Sequence, residues 1–219
     1  MREGIWILPD APAGRKVDSD GIFLSEQACQ AVFDELRGND DFFWGYTEDC
    51  CLPRAHIICH MLHCAGIYCE KIRADNARGT WLRFFGLSFR DEHSGNWVHI
   101  AFHMAVVTKL LVAETVEERV IDPALFPCPV SVSSWLARLI NRDSIKADGS
   151  VDYTAQDKFV TRYAHDVFEK RLFGTNRDKC LSISNRLLDE HRPRSAAMRS
   201  CWITAGLDAR PLPQAPIGK

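Results

Sequence analysis

The first apolar residues at helical spacing follow Ser25: Cys29, Val32, Phe33 and Leu36 share one face before Gly38. Serine is a favoured N-cap and glycine a common stop, so this pattern predicts a first helix between them. A loop rich in aspartate and aromatic residues, 40–49, leads to a second apolar stretch, 50–65, ended by Gly66. After Gly66 the pattern changes. Segments 67–73, 80–85, 97–111 and 116–121 are rich in aromatic and branched residues and are separated by turn-like sequence at 75–79 and 91–96, which predicts an antiparallel sheet. Ser131, Ser133 and Ser134 open a predicted helix over 135–140. Past a polar turn at 146–150, two more helices are predicted in a C-terminal stretch, 154–203. One holds Phe159, Tyr163, Val167, Phe168 and Leu172, and the other Cys180, Ile183, Leu187 and Leu188. Residues 1–24 read as an irregular arm and 206–219, with Pro211, Pro213 and Pro216, as a disordered tail. The fold class is α+β, with 25–205 as a single domain and no internal repeat.

Composition narrows the function. With 46% hydrophobic and 26% charged residues, the chain has an ordinary globular balance and can build a core. A net charge of -2 gives no global basic field, which argues against nucleic acid as the main partner. No apolar run has the length of a membrane-spanning helix. The opening residues lack the apolar core and cleavage site of a Sec signal, so the expected location is the cytoplasm, or export by a dedicated apparatus. Nine cysteines cannot all pair with one another. In a reducing compartment most act as small apolar residues, and any thiol chemistry must come from a particular one.

The second helix opens Asp49-Cys50-Cys51-Leu52-Pro53-Arg54-Ala55-His56. Proline is tolerated in a first helical turn, which puts both cysteines at the helix N-terminus. There the unpaired N–H groups and the positive dipole end favour a thiolate and offer donors to an oxyanion. Cys51 is in phase with Ala55, Ile58, Leu62 and Ala65, the stripe expected to face the sheet, while Cys50 is in phase with Arg54, Ile57 and Met61. Phase favours Cys51. A thiol nucleophile needs a base and a group to orient it. Within 97–104, alternation places His99 and His103 on one face and does not choose between them. Pro123 favours an extended Asp122, fixing a carboxylate at a strand end.

Taken together, Cys51-Leu52-Pro53-Arg54-Ala55-His56, Cys69-Glu70-Lys71, Phe102-His103-Met104-Ala105, residues 120–126 with Pro129-Val130, and Ser134-Trp135-Leu136 resemble the protein-glutaminase family. The resemblance covers about residues 44–140. It implies a fold like the transglutaminase and papain catalytic core, with an antiparallel sheet packed on the helix that bears the nucleophile. It also implies Cys51 as nucleophile, His103 as general base and acid, and Asp122 as the orienting carboxylate. The implied reaction is deamidation of a glutamine side chain in a protein substrate, through a thioester, with no metal or organic cofactor. The same triad would serve a transglutaminase, a peptidase or a small-molecule amidase. A non-catalytic binding module on this fold is the reading from another class, and a selectively reactive thiol among the nine separates it from an enzyme.

The family pattern has glycine before the nucleophile, an aromatic residue after it and a small residue next, where this chain has Cys50, Leu52 and Pro53. Other constellations compete for attention. Cys59, His60, His63 and Cys64 form two i,i+4 pairs of metal-ligand type, but on different sides of the helix, and no metal site is assigned. His56 reads as a helix-surface or supporting residue. Arg186, Arg192, Arg194 and Arg199 form a basic cluster whose members at 192 and 194 are candidates for contact with an acidic protein surface. Phe42, Phe43, Trp44 and Tyr46 read as core, with the substrate groove as the alternative.

Overall fold

The structure is a computed structural model that describes residues 16–18, 21–42, 44, 50–77, 86–91, 95–154, 156–165, 183–184, 186–190 and 192–193. In chain order its elements are β1 (Lys16–Asp18), β2 (Gly21–Ile22), α1 (Glu26–Gly38), α2 (Cys51–Cys64), β3 (Cys69–Asn76), β4 (Leu87–Arg90), β5 (Trp97–Ile100), β6 (His103–Val112), β7 (Thr115–Ile121), α3 (Val132–Arg138), β8 (Ile140–Asn141) and β9 (Lys158–Ala164). Single 3-10 turns lie at Asp40–Phe42 and Arg142–Ser144.

Local chemistry explains the helix boundaries. The Ser25 hydroxyl accepts the Ala28 N–H at 3.2 Å, and α1 buries Ala28, Cys29, Val32, Phe33 and Leu36. Ser131 caps α3 the same way, accepting from the Ser134 N–H at 3.1 Å, so this helix starts three residues earlier than the serine signal alone suggested.

Four antiparallel strands form the central sheet in the order β7-β6-β3-β9, and a smaller antiparallel sheet has the order β5-β4-β8. The alternation of β6 makes the central sheet two-faced. Met104, Val106 and Leu110 pack with α1 and α2, burying Phe33, Ile58, Cys59 and Leu62 on that side. Ala105 and Val107 join Ile72, Ala74, Phe89, Leu125 and Trp135 in a second core, shared with β4 and α3. Each fully buried side chain of this size contributes about 1.5–3 kcal/mol, so both faces of the sheet help fix the position of β6. Among the described residues, no helix is long and apolar enough to cross a membrane.

Four expectations need correction. The stretch 97–111 is not one strand: β5 ends at Ile100, and the chain crosses from the small sheet to the central one before β6 starts at His103. The crossing runs against Gly86, where an added Cβ would stand 2.0 Å from the Ile100 carbonyl oxygen, so only glycine fits. Residues 158–164, expected in a helix, form β9 and pair with β3 from Glu70↔Ala164 to Asn76↔Lys158. Phe159 and Tyr163 suit either period, but Val160 and Thr161 favour a strand, and the open edge of β3 supplies its partner. The N-terminal arm is part of the fold from Gly21 on. The Ile22 N–H donates to Gly66 O at 2.8 Å, the Leu24 N–H donates to Lys109 O at 3.0 Å, and Phe23 and Leu24 are buried. Finally, β3 runs on to Asn76, into the expected turn. Strand β4 was not anticipated. Residues 186–190 are helical as expected, with Leu188 in the first core. The predicted strand 80–85, the segment 166–182 and the predicted tail 206–219 lie outside the described residues.

Candidate active site

Helix α2 begins abruptly. Cys50, its N-cap, sits at φ 73° and ψ 4°, a left-handed conformation that costs a residue with a Cβ roughly 1–2 kcal/mol. This is why glycine suits the position, and why Cys50 is a departure with a physical cost. The turn leaves Cys50 buried and brings Cys51, only partly buried, to the first helical position. The Arg54 N–H donates to Cys50 O at 3.1 Å, and Pro53 has no N–H. Helix geometry gives the Cys51 and Leu52 N–H groups no carbonyl one turn earlier.

The structure brings Cys51, His103 and Asp122 together. His103 opens β6 and lines the same cleft as Cys51, near enough for the thiol to help raise the imidazole pKa. On its other side, Nε2 donates to Asp122 Oδ2 at 2.7 Å, which leaves Nδ1 for the sulfur. Asp122 directly follows β7, and its carbonyl accepts the N–H groups of Leu125 at 3.1 Å and Phe126 at 3.0 Å, which fixes the turn. His103 and Asp122 are buried. Burial draws the imidazole pKa down, but the charge and hydrogen bond of Asp122, with the Cys51 contact adding, outweigh it and push His103 up to about 10. At neutral pH the ring therefore holds its proton between a carboxylate and a thiol.

Trp135 and Arg54 belong to the motifs that carry the resemblance, but their supporting roles were not legible in the sequence. Trp135 is fully buried, and its indole Nε1 donates at 2.9 Å to Asp122 Oδ2, the same oxygen that receives His103. Its ring lies 5.7 Å from the His103 ring, centroid to centroid. A buried indole N–H requires an acceptor, which was the available signal. Arg54 is also buried, and it lines the small cleft at the thiol, along with Trp44, Ile58, Met104 and Ala124.

The other candidates separate in space. His99 is in the small sheet, with Nδ1 2.6 Å from Ser88 Oγ, and burial followed by the nearby Arg142 lowers its pKa. We expect His99→Ala to leave turnover within about twofold of the wild type in a steady-state assay, because it touches none of the reacting groups. His56 is buried between α2 and β3, its Nδ1 3.1 Å from the Nζ of buried Lys71, and so is not a helix-surface residue. Cys59 is buried, its carbonyl accepts from Cys69 Sγ at 3.2 Å, and burial raises its thiol pKa. Cys64 is exposed beside His60, while the His63 ring stacks on His165 at 3.5 Å. Among the described residues, no three side chains of ligand type are grouped as a metal site requires. Phe42 and Trp44 are core residues that stack on each other, and Trp44 also forms part of the cleft wall. Phe43, Tyr46, Arg194 and Arg199 lie outside the described residues.

A family model described as Glutaminase matches residues 29–139, just over half of the chain, a span that contains Cys51, His103, Asp122 and Trp135. The chain belongs to this glutaminase family. Among solved structures, it is similar to a pro-protein-glutaminase, with a TM-score of 0.59 and 19% identity, covering 82% of this chain but only 62% of the length of that one. A crystal structure of protein-glutaminase is similar at a TM-score of 0.55 and 20% identity, covering 77% of this chain and 90% of that one. The NMR structure of protein-glutaminase from Chryseobacterium proteolyticum is similar at a TM-score of 0.55 and 19% identity, covering 78% and 88%. These likenesses show that this glutaminase-family chain shares their fold. No curated protein matches its sequence.

Proposed function

We propose that this member of the glutaminase family deamidates glutamine side chains in proteins by covalent catalysis at Cys51. The observation that supports this reading most is the placement of His103 between Asp122 Oδ2 and the Cys51 thiol. The Cys51 sulfur, as thiolate, attacks the carboxamide carbon, and the N–H groups of Cys51 and Leu52 face the resulting oxyanion. His103 then gives its proton to the departing nitrogen as the C–N bond breaks, leaving a thioester and ammonia. A water loses a proton to His103 and attacks the thioester. The C–S bond breaks, which yields glutamate and restores the thiolate and imidazolium. Asp122 holds the ring orientation throughout and balances its charge. In sum, one amide and one water become one carboxylic acid and one ammonia, and the acid's proton passes to ammonia to leave a carboxylate and an ammonium ion.

Incubating candidate protein substrates with wild type and with Cys51→Ala, followed by ammonia assay and peptide mapping, tests the proposal. A gain of about one dalton at a glutamine, with ammonia release and no chain cleavage, is the expected result with the wild type alone. Cleaved peptides would instead support a peptidase and cross-linked products a transglutaminase.

As a finer part of the proposal, the basic residues Arg192 and Arg194 meet an acidic region of the protein substrate. Arg192 stands half-exposed at 3.5 Å from both Asp41 and Asp189, long and screened contacts that an incoming carboxylate can replace. Asp41 lies in the turn that ends two residues before Trp44 of the cleft wall. Reversing both charges is expected to raise KM several-fold for the protein substrate, most strongly at low salt, and to leave a short glutamine peptide unaffected. Equal loss on both substrates would instead assign the two residues to the fold.

A further inference from the structure

The wall of the cleft beside the nucleophile is held in place by one buried cation. Arg54, on the first turn of α2, is 4% exposed and Trp44 is 6% exposed. Arg54 Nε donates to the Phe42 carbonyl at 2.6 Å, and its guanidinium stands 5.4 Å from the centre of the Trp44 ring. Phe42 stacks on Trp44 at 5.0 Å with 26° between the rings, and the Trp44 indole donates to Leu36 O at 2.8 Å. The Trp44 ring is thus bounded by Phe42, the end of α1 and the guanidinium. Trp44, Arg54 and Cys51 line the same cleft. A surface cation would tie up nothing, and a core aromatic would need no cation. A planar guanidinium that bonds the backbone and also borders the ring fixes the distance between this aromatic wall and the helix turn that bears the thiol.

We propose that Arg54 is a positioning residue that sets the Trp44 wall, against which the methylene groups of the substrate side chain pack while its carboxamide meets Cys51. This rests on the deamidase reading, and it adds the feature that orients the side chain. Arg54 touches no reacting atom. Its loss acts on how the side chain is seated, and leaves the His103–Asp122 pair as it is.

The test compares wild type, Arg54→Lys, Arg54→Met, Trp44→Leu and the double variant Arg54→Met/Trp44→Leu on a short glutamine peptide, with melting temperature and the rate of Cys51 alkylation by iodoacetamide measured in parallel. Arg54→Met is expected to raise KM by about tenfold or more while kcat falls by less than about threefold. Arg54→Lys keeps the cation but loses the planar Nε donor, and is expected to fall between the two. In the double variant KM should be no worse than in Trp44→Leu alone, since both changes remove one wall. If Trp44→Leu does not fold, the order of KM among wild type, lysine and methionine decides the matter. An Arg54→Met enzyme with wild-type KM would overturn the proposal, as would a parallel fall of kcat, alkylation rate and melting temperature, which marks mere support of the fold. If the wild type itself does not turn over glutamine, the deamidase reading fails separately. The wall is then read from alkylation alone: bulky N-ethylmaleimide should gain on iodoacetamide at Cys51 in Arg54→Met, and an unchanged ratio would refute it.

Discussion

Cys51→Ala is expected to lower glutamine hydrolysis by about 10⁴-fold or more, while the melting temperature stays close to that of the wild type. The two halves of this expectation have separate causes. The sulfur supplies the bond to the acyl group, and no neighbouring thiol can replace it: Cys50 is buried, and Cys59 is buried with its pKa raised. Removing a partly buried sulfur at a helix start opens no enclosed cavity, so stability should change by less than about 1 kcal/mol. The wild-type thiol should also identify itself. With stoichiometric iodoacetamide near pH 6, Cys51 is expected to be alkylated first, because it is accessible and lies against an imidazole that holds its proton up to about pH 10. Cys29 offers no competition, since burial pushes its thiol up to about 12. Cys64 is the critical control, being exposed beside His60 and outside the cleft that holds His103 and Asp122. Peptide mapping that finds Cys64 modified and Cys51 untouched would defeat the nucleophile assignment.

What the sequence revealed and what it hid follow from the range of the interactions. The Ser25 cap, the apolar stripe of α1 and the start of α2 at the Cys50-Cys51 pair depend on residues within a turn or two, and each was readable. The choice between His99 and His103 was not, because it turns on a break at Ala101 that passes close over Gly86, a contact distant in sequence. Alternation reads 97–104 as one strand, although its two halves pair in different sheets. Strand β9 was missed for a related reason: Phe159 and Tyr163 satisfy either period, the strand preference of Val160 and Thr161 is weak alone, and the pairing edge of β3 is distant in sequence. At the site, the three residues implied by the resemblance converge. The groups that hold them, Trp135 on Asp122 and Arg54 on Phe42, were part of the resembling motifs but had no role readable from them. Their roles depend on which acceptor lies within reach, and a linear pattern does not record this.

Asp122→Asn is expected to have a milder effect on turnover than loss of an orienting carboxylate usually has, and Trp135 is the reason. Both donors, His103 Nε2 at 2.7 Å and Trp135 Nε1 at 2.9 Å, converge on the single oxygen Oδ2. An asparagine that places its carbonyl oxygen there satisfies both. The flipped amide would set an N–H against the indole N–H and leave a buried donor unpaired, at a cost of about 1–3 kcal/mol. Trp135 therefore keeps the asparagine oxygen towards His103, and the ring keeps Nε2–H with Nδ1 towards the sulfur. Only the charge is lost. We expect kcat to fall by about 10²-fold, short of the ~10⁴-fold that follows when the wrong tautomer is locked in. Asp122→Asn/Trp135→Phe removes the constraint and should fall further than the product of the two single losses. Stability supplies an independent check. His103 is raised above its ordinary value to about 10, so the pair's contribution is complete below about pH 6.5 and is lost as pH rises through about 10, at no more than about 1.4 kcal/mol per pH unit. Wild type should lose melting temperature across that window. In Asp122→Asn the burial that opposes a charged ring is no longer outweighed, so its melting temperature should be flat or rising with pH, and the gap between the two proteins should be widest near pH 6. Parallel melting curves from pH 6 to 10 would show that Asp122 does not hold the proton on His103.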